Sequence, residues 1–104
     1  MVEIVWKRGA EEDLVRIFSE LEEFRAGLGE RFTLQLDGTL QHLRNHPQMA
    51  PIYEEPMRRL VVGNSGYGLF YTVEPRGIIA HALLHLSQNP EAIREKIRRL
   101  LGLN

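Results

Sequence analysis

At 104 residues, with 43% hydrophobic and 26% charged residues, the chain has the make-up of one globular domain spanning residues 1–104. No apolar run approaches the roughly 20 residues that cross a bilayer. The start MVEIVWKRG lacks the zones of a secretory signal, and the absence of cysteine excludes disulfides and thiolate metal sites, so a cytoplasmic protein without membrane contact is expected.

The net charge of −1 hides a split, with 6 basic against 11 acidic residues over 1–56 and 7 against 3 over 57–104. That fits either a positive face meeting an acidic partner or two solvated acidic helices. In chain order, VEIVW (2–6) is β-branched and reads as a short strand. The stretch AEEDLVRIFSELEEFRAG follows as a helix, with Ala10, Leu14, Ile17, Phe18, Leu21 and Leu28 at helical spacing and acids in its first turn. Gly27 and Gly29 are expected to end it.

Two patterns compete in ERFTLQLDGTLQHLRNH. FTLQL alternates and Asp37-Gly38 suits a hairpin turn, but Phe32, Leu36, Leu40 and Leu43 form one helical stripe, and an interior glycine costs a helix only about 1 kcal/mol. The reading is a helix stopped by Pro47, with PQMAPIYEEP as a connecting loop. Residues 57–62, 67–73 and 77–86 read as three strands, antiparallel because their turns are short. Finally Asn89 caps a helix with Pro90 in its first turn, Ile93, Ile97 and Leu100 on one face, and Gly102 at its end. The expected fold is α/β of the α+β kind, β-α-α-β-β-β-α.

GNSGYG reads as a hairpin turn, because a phosphate loop would lead into a helix and here a strand follows. His42 and His46 share a helix face without a third ligand, so neither a metal nor a cofactor is expected. His81 and His85 share one face of the last strand, about 13 Å apart, while Ile78, Ala80, Ala82, Leu84 and Leu86 form an apolar face that should meet the helices. Arg58 and Arg59 point to opposite faces, one of them beside Tyr67 or Tyr71 on the exposed side, where cation and ring could grip RNA or an acidic protein or could form ordinary cross-strand pairs. Spacing alone identifies no serine–histidine–acid or paired-carboxylate arrangement.

Taken together, VWKRGAEEDLVRI with Ala10, Asp13, Leu14 and Ile17, then LRNHP, RRLVVGNSGYGLFYTV and IIAHALLHL, resemble the RelE/ParE toxin superfamily over nearly the whole chain. The resemblance implies a helical hairpin packed on a twisted, mainly antiparallel sheet, which favours the helix at Asp37-Gly38. It also implies the toxin of a type II toxin–antitoxin module, the plasmid-stabilising kind included. Such a toxin is neutralised by a cognate antitoxin, as a homodimer or a toxin–antitoxin hetero-oligomer. RelE-like members cleave mRNA on the ribosome and ParE-like members inhibit DNA gyrase. The nuclease branch would carry arginine at Gly68, a basic group at Val61, and arginine and tyrosine after His85, where Leu86, Ser87, Gln88 and Asn89 stand. The ParE-like branch also commonly has arginines there, so Ser87-Gln88-Asn89 departs from both.

The resemblance therefore implies a gyrase inhibitor that is not an enzyme and has no catalytic residues. A nuclease using Arg59 with His85, or a degenerate antitoxin-binding homologue, is the alternative. The candidate target- or partner-binding residues are Arg58, Arg59, Tyr67, Tyr71 and His85, with Arg94 and Arg98 of the last helix, where Lys96 and Arg99 add further cations.

Overall fold

The computed structural model describes residues 2–103. In chain order the elements are β1 (Ile4–Trp6), α1 (Arg8–Phe24), α2 (Leu28–Asn45), β2 (Ile52–Glu54), β3 (Met57–Val61), β4 (Tyr67–Glu74), β5 (Gly77–His85) and α3 (Pro90–Leu100). The strands form one sheet in the order β1-β5-β4-β3-β2, antiparallel throughout except for the parallel β1–β5 pair. This is the α+β arrangement that the sequence predicts, with one strand more. The addition is β2, inside the stretch read as a loop: Ile52 pairs with Arg58 and Glu54 with Met57. Three residues carry too little alternation to announce a strand.

Asp37 and Gly38 lie inside α2, and Phe32, Leu36, Leu40 and Leu43 are all buried along it. The preceding helix ends at Phe24, earlier than the glycines expected to stop it. Gly27 instead caps α2, and Gly29 sits in its first turn. Gly29 is required by close approach, since a Cβ there would lie 2.8 Å from the Phe18 carbonyl oxygen and 2.9 Å from Glu22 Cγ. Glu22 finishes the join. Its carboxylate accepts from the N–H groups of Gly27, Gly29 and Glu30 at 3.1, 2.8 and 3.2 Å, capping donors that a helix start leaves unpaired. These bonds, that from Gly27 above all, hold the Glu22 carboxyl below its ordinary range.

Two apolar layers flank the sheet. The α1–α2 hairpin buries Ala10, Ile17, Phe32, Leu36 and Leu43 against Leu69, Tyr71, Ile78, Ala80 and Leu83. On the other face α3 buries Ile93 and Ile97 against Met57, Phe70, Ala82 and Leu84. Asn89 caps α3 as its sequence predicts, its Oδ1 accepting the Glu91 N–H at 2.8 Å.

The membership of these layers corrects the expected faces of β5. Phe70 lies opposite Ala82 but Tyr71 lies opposite Ala80, leaving His81 as the extra residue of a β-bulge. The bulge reverses the phase of the strand. Ile78 and Ala80 face the hairpin before it, Leu83 faces the hairpin after it, and Ala82 and Leu84 turn to α3. The two histidines are thereby separated onto opposite faces: His81 meets Thr72, on the face away from the hairpin, and His85 lies opposite Tyr67, which packs against the hairpin layer.

His81 is buried, its Nε2 2.9 Å from Thr72 Oγ1, and that hydroxyl donates to Glu74 Oε2 at 2.9 Å. With its one proton directed at a carboxylate, the hydroxyl must accept from His81 Nε2–H. Burial is the main cause that pushes the His81 pKa down; Lys7 adds to it and Glu74 partly opposes it. A lowered folded pKa means that the unfolded chain takes the proton more readily. The protein is therefore expected to lose stability as pH falls below about 6.5, and to keep its full contribution from this group above that value. His81→Gln, which retains a nitrogen donor toward Thr72, should flatten this slope in urea unfolding measured from neutral pH downward.

A second polar group in the interior ties α1 to β5. β1 pairs with β5 at residues 78–80 and the chain then turns into α1, so β5 outruns its neighbour. Asp13, buried on α1, takes over: its Oδ2 accepts the Leu83 N–H at 3.0 Å, and its Oδ1 lies 3.1 Å from Arg16 Nη1. Asp13→Ala leaves that buried N–H without its acceptor and is expected to cost about 1–3 kcal/mol. Asp13→Asn, which keeps an oxygen in place, should cost less; urea midpoints of the two variants check the difference.

Candidate functional site

The seven candidate residues fall into three groups. Arg58 and Tyr71 lie opposite each other on β3 and β4 and both face inward. Arg58 Nη1 donates to the carbonyls of Ala50 and Gln48 at 2.5 and 3.2 Å, and Tyr71 OH donates to the Pro47 carbonyl at 2.9 Å. Tyr71 is fully buried, and burial pushes its phenol pKa up. The pair ties residues 47–50 to the sheet, which leaves Tyr71 out of reach of any partner.

The second group joins α3 to the sheet edge. Arg94 lies 4.8 Å from the Tyr53 ring centroid and Arg59 lies 5.3 Å from it, while Tyr53 meets Phe70 edge-on at 5.3 Å. Glu54 bridges Arg94 at 3.0 Å and Arg98 at 3.3 Å. Both arginines are thus engaged within the molecule, with Glu91 and Glu95 beside them around the same shallow hollow. Tyr53 and Glu54, the centre of this cluster, escaped the sequence reading because β2 did.

The third group lies where β5 ends. Tyr67 and His85 are paired across β4 and β5, their rings edge-on at 4.8 Å and 85°. Tyr67 is also edge-on to Phe32 of α2 at 5.2 Å. Beside Tyr67 opens a cleft of about 270 Å³ floored by Leu21, Leu28 and Phe32, and across its rim Gln35 Nε2 donates to Asn64 Oδ1 at 2.6 Å. The Tyr67 phenol pKa is raised, chiefly by burial and further by Glu20, with Arg16 opposing. Ser87, read from sequence as a missing arginine, touches His85 through both its groups: Oγ stands 2.5 Å from Nδ1, and the backbone N–H donates to Nδ1 at 3.2 Å.

A serine against a histidine invites comparison with a nucleophile and its base. Here the backbone N–H shares the same Nδ1 lone pair, and the ring's hydrogen bonds among the described residues are these two alone. Among the described residues no hydrogen-bonding group meets Nε2, so the triad geometry of an activated nucleophile is not formed. Arg59 and His85, which the sequence could combine in a rearranged nuclease set, lie on opposite faces. Arg59 pairs with Phe70 of the α3 layer, and His85 with Tyr67 on the hairpin side. The arrangement suits recognition by an aromatic cleft with a polar rim.

With α3 fixed by Tyr53 and Glu54, a double-mutant cycle of Tyr53→Leu and Arg94→Ala is expected to give a coupling of about 0.5–1 kcal/mol. Thermal or urea unfolding of the four proteins measures it.

Residues 4–90 match the family model described as the ParE toxin of the type II toxin–antitoxin system parDE. No curated protein sequence matches significantly. Among solved structures, a chain of the chromosomal ParDE TA system from P. aeruginosa superposes with a TM-score of 0.71 at 18% identity, covering 83% of this chain and 97% of that one. At that identity the structural match speaks to the fold.

Proposed function

Because the chain belongs to the ParE toxin family of type II toxin–antitoxin systems, we propose that it arrests cells by binding and inhibiting DNA gyrase in the cytoplasm, without catalysis, and that a cognate antitoxin neutralises it. The observation that carries this reading is the family match, which runs from β1 through the end of β5. The site supports it in kind. Ser87 engages the Nδ1 lone pair of His85, Glu54 engages Arg94 and Arg98, and Arg59 stands on the far face of the sheet from His85. General acid–base cleavage of RNA needs such groups gathered at one phosphate; docking onto a protein does not.

Two measurements test this. Induction of the toxin alone should raise the DNA-damage response and leave ribosome-bound mRNA intact. The purified protein should inhibit supercoiling by gyrase, and an antitoxin encoded beside it should restore the activity. Unchanged supercoiling with mRNA cut on the ribosome would replace this reading by the endonuclease. Normal growth with a tight antitoxin complex would mark a homologue that has lost toxicity.

A further inference from the structure

His85 and His81 differ in how their nitrogens are used. His81 is buried and directs Nε2 at Thr72 inside the protein, as a histidine serving only packing should. His85 is half-buried and spends Nδ1 on Ser87. Its Nε2 has no hydrogen-bond partner among the described residues.

The Ser87 contact decides where the ring proton sits. A backbone N–H can only donate, so Nδ1 must accept, and the neutral ring carries its hydrogen on Nε2. Tyr67, edge-on at 85°, holds the ring's orientation, and Phe32 in turn holds Tyr67. On the Nε2 side stands the turn between β3 and β4. A Cβ at Gly66 would lie 3.1 Å from Nε2, and Gly66 has φ +86°, so glycine meets the backbone conformation and leaves Nε2 uncrowded. The Leu86 N–H donates to the Gly66 carbonyl at 2.8 Å, tying that turn to the end of β5.

We propose that Ser87 is a positioning residue: it fixes His85 as the Nε2–H tautomer, so that the end of β5 presents a hydrogen-bond donor, next to the Tyr67 cleft, to an acceptor oxygen on the protein target. A carboxylate or main-chain carbonyl has the required chemistry. The role of the donor rests on the toxin reading above, whereas the tautomer rests on the geometry of this chain alone.

The experiment pairs imidazole ¹⁵N spectra of the full-length protein at mildly alkaline pH with growth arrest at matched expression and with gyrase inhibition. The wild type should show the His85 hydrogen on Nε2, and so should Ser87→Ala, which keeps the backbone donor; Ser87→Pro, which removes both the N–H and the hydroxyl, should mix the tautomers and weaken arrest severalfold. His85→Gln, whose amide nitrogen falls near the place of Nε2, should retain activity within about threefold. His85→Asn, whose amide nitrogen falls near Nδ1, should lose about tenfold, as expected for the loss of one hydrogen bond. Far-ultraviolet circular dichroism confirms that each variant is folded. A ring hydrogen on Nδ1, or a folded His85→Asn as potent as wild type in arresting growth, would overturn the proposal. Gyrase untouched by a wild type that still arrests growth would overturn the gyrase reading instead, with the arrest series and the spectra still deciding this one.

Discussion

A carboxylate on the first helix, bonded to a backbone N–H of the last strand, is the constraint on which this architecture turns. Asp13 and Leu83 are 70 residues apart in sequence and 3.0 Å apart in space. A three-residue β1 cannot cover a nine-residue β5, and a strand edge left bare in the interior would carry an unpaired donor. Asp13 supplies the missing acceptor from a helix, so the chain can leave the sheet after Trp6 and still close it. That fixes where α1 crosses, and the α1–α2 hairpin then has one face to bury.

The bulge at His81 does the complementary work inside the sheet. A strand with strict alternation would put Ile78, Ala80, Ala82, Leu84 and Leu86 on one face and leave the other with Ile79 and Leu83 interrupted by His81 and His85. By inserting one residue, β5 serves the hairpin with Ile78, Ala80 and Leu83 and serves α3 with Ala82 and Leu84. The same phase change brings His85 round to Tyr67, which itself packs on Phe32. The polar relay from His81 through Thr72 to Glu74 satisfies the histidine at the irregularity itself.

What could be read beforehand was local in its physics. The stripe of Phe32, Leu36, Leu40 and Leu43, the Asn89 cap with Pro90 in the first turn of α3, and the strands around short turns all announce themselves within a few residues. The bulge does not, because it is a matter of cross-strand register, which no single strand records. β2 is invisible for lack of length. Of the candidate residues, Tyr67 and His85 were each singled out from sequence, and the fold sets them side by side. The sequence left open which of Arg58 and Arg59 meets which of Tyr67 and Tyr71 and expected that contact on the exposed side, whereas the register pairs Arg58 with Tyr71 on the face that the hairpin covers. Ser87 was noted for what it replaces, since its bond to His85 needs the chain to turn back after β5.

The placement of β5 and α3 in the last quarter of the chain has a bearing on how the molecule is made. A ribosome delivers β1, both long helices and the β2–β4 meander before the strand that sits between β1 and β4 exists. Until then Asp13 is a carboxylate on an amphipathic hairpin with no donor to meet, and Leu69 and Phe70 flank a gap at the centre of the sheet. Closure joins the first strand to the last, so the nascent protein reaches its native topology late and nearly at once, after a period in which apolar surface has no partner. α3 comes last of all and seals the far layer from the C-terminal side.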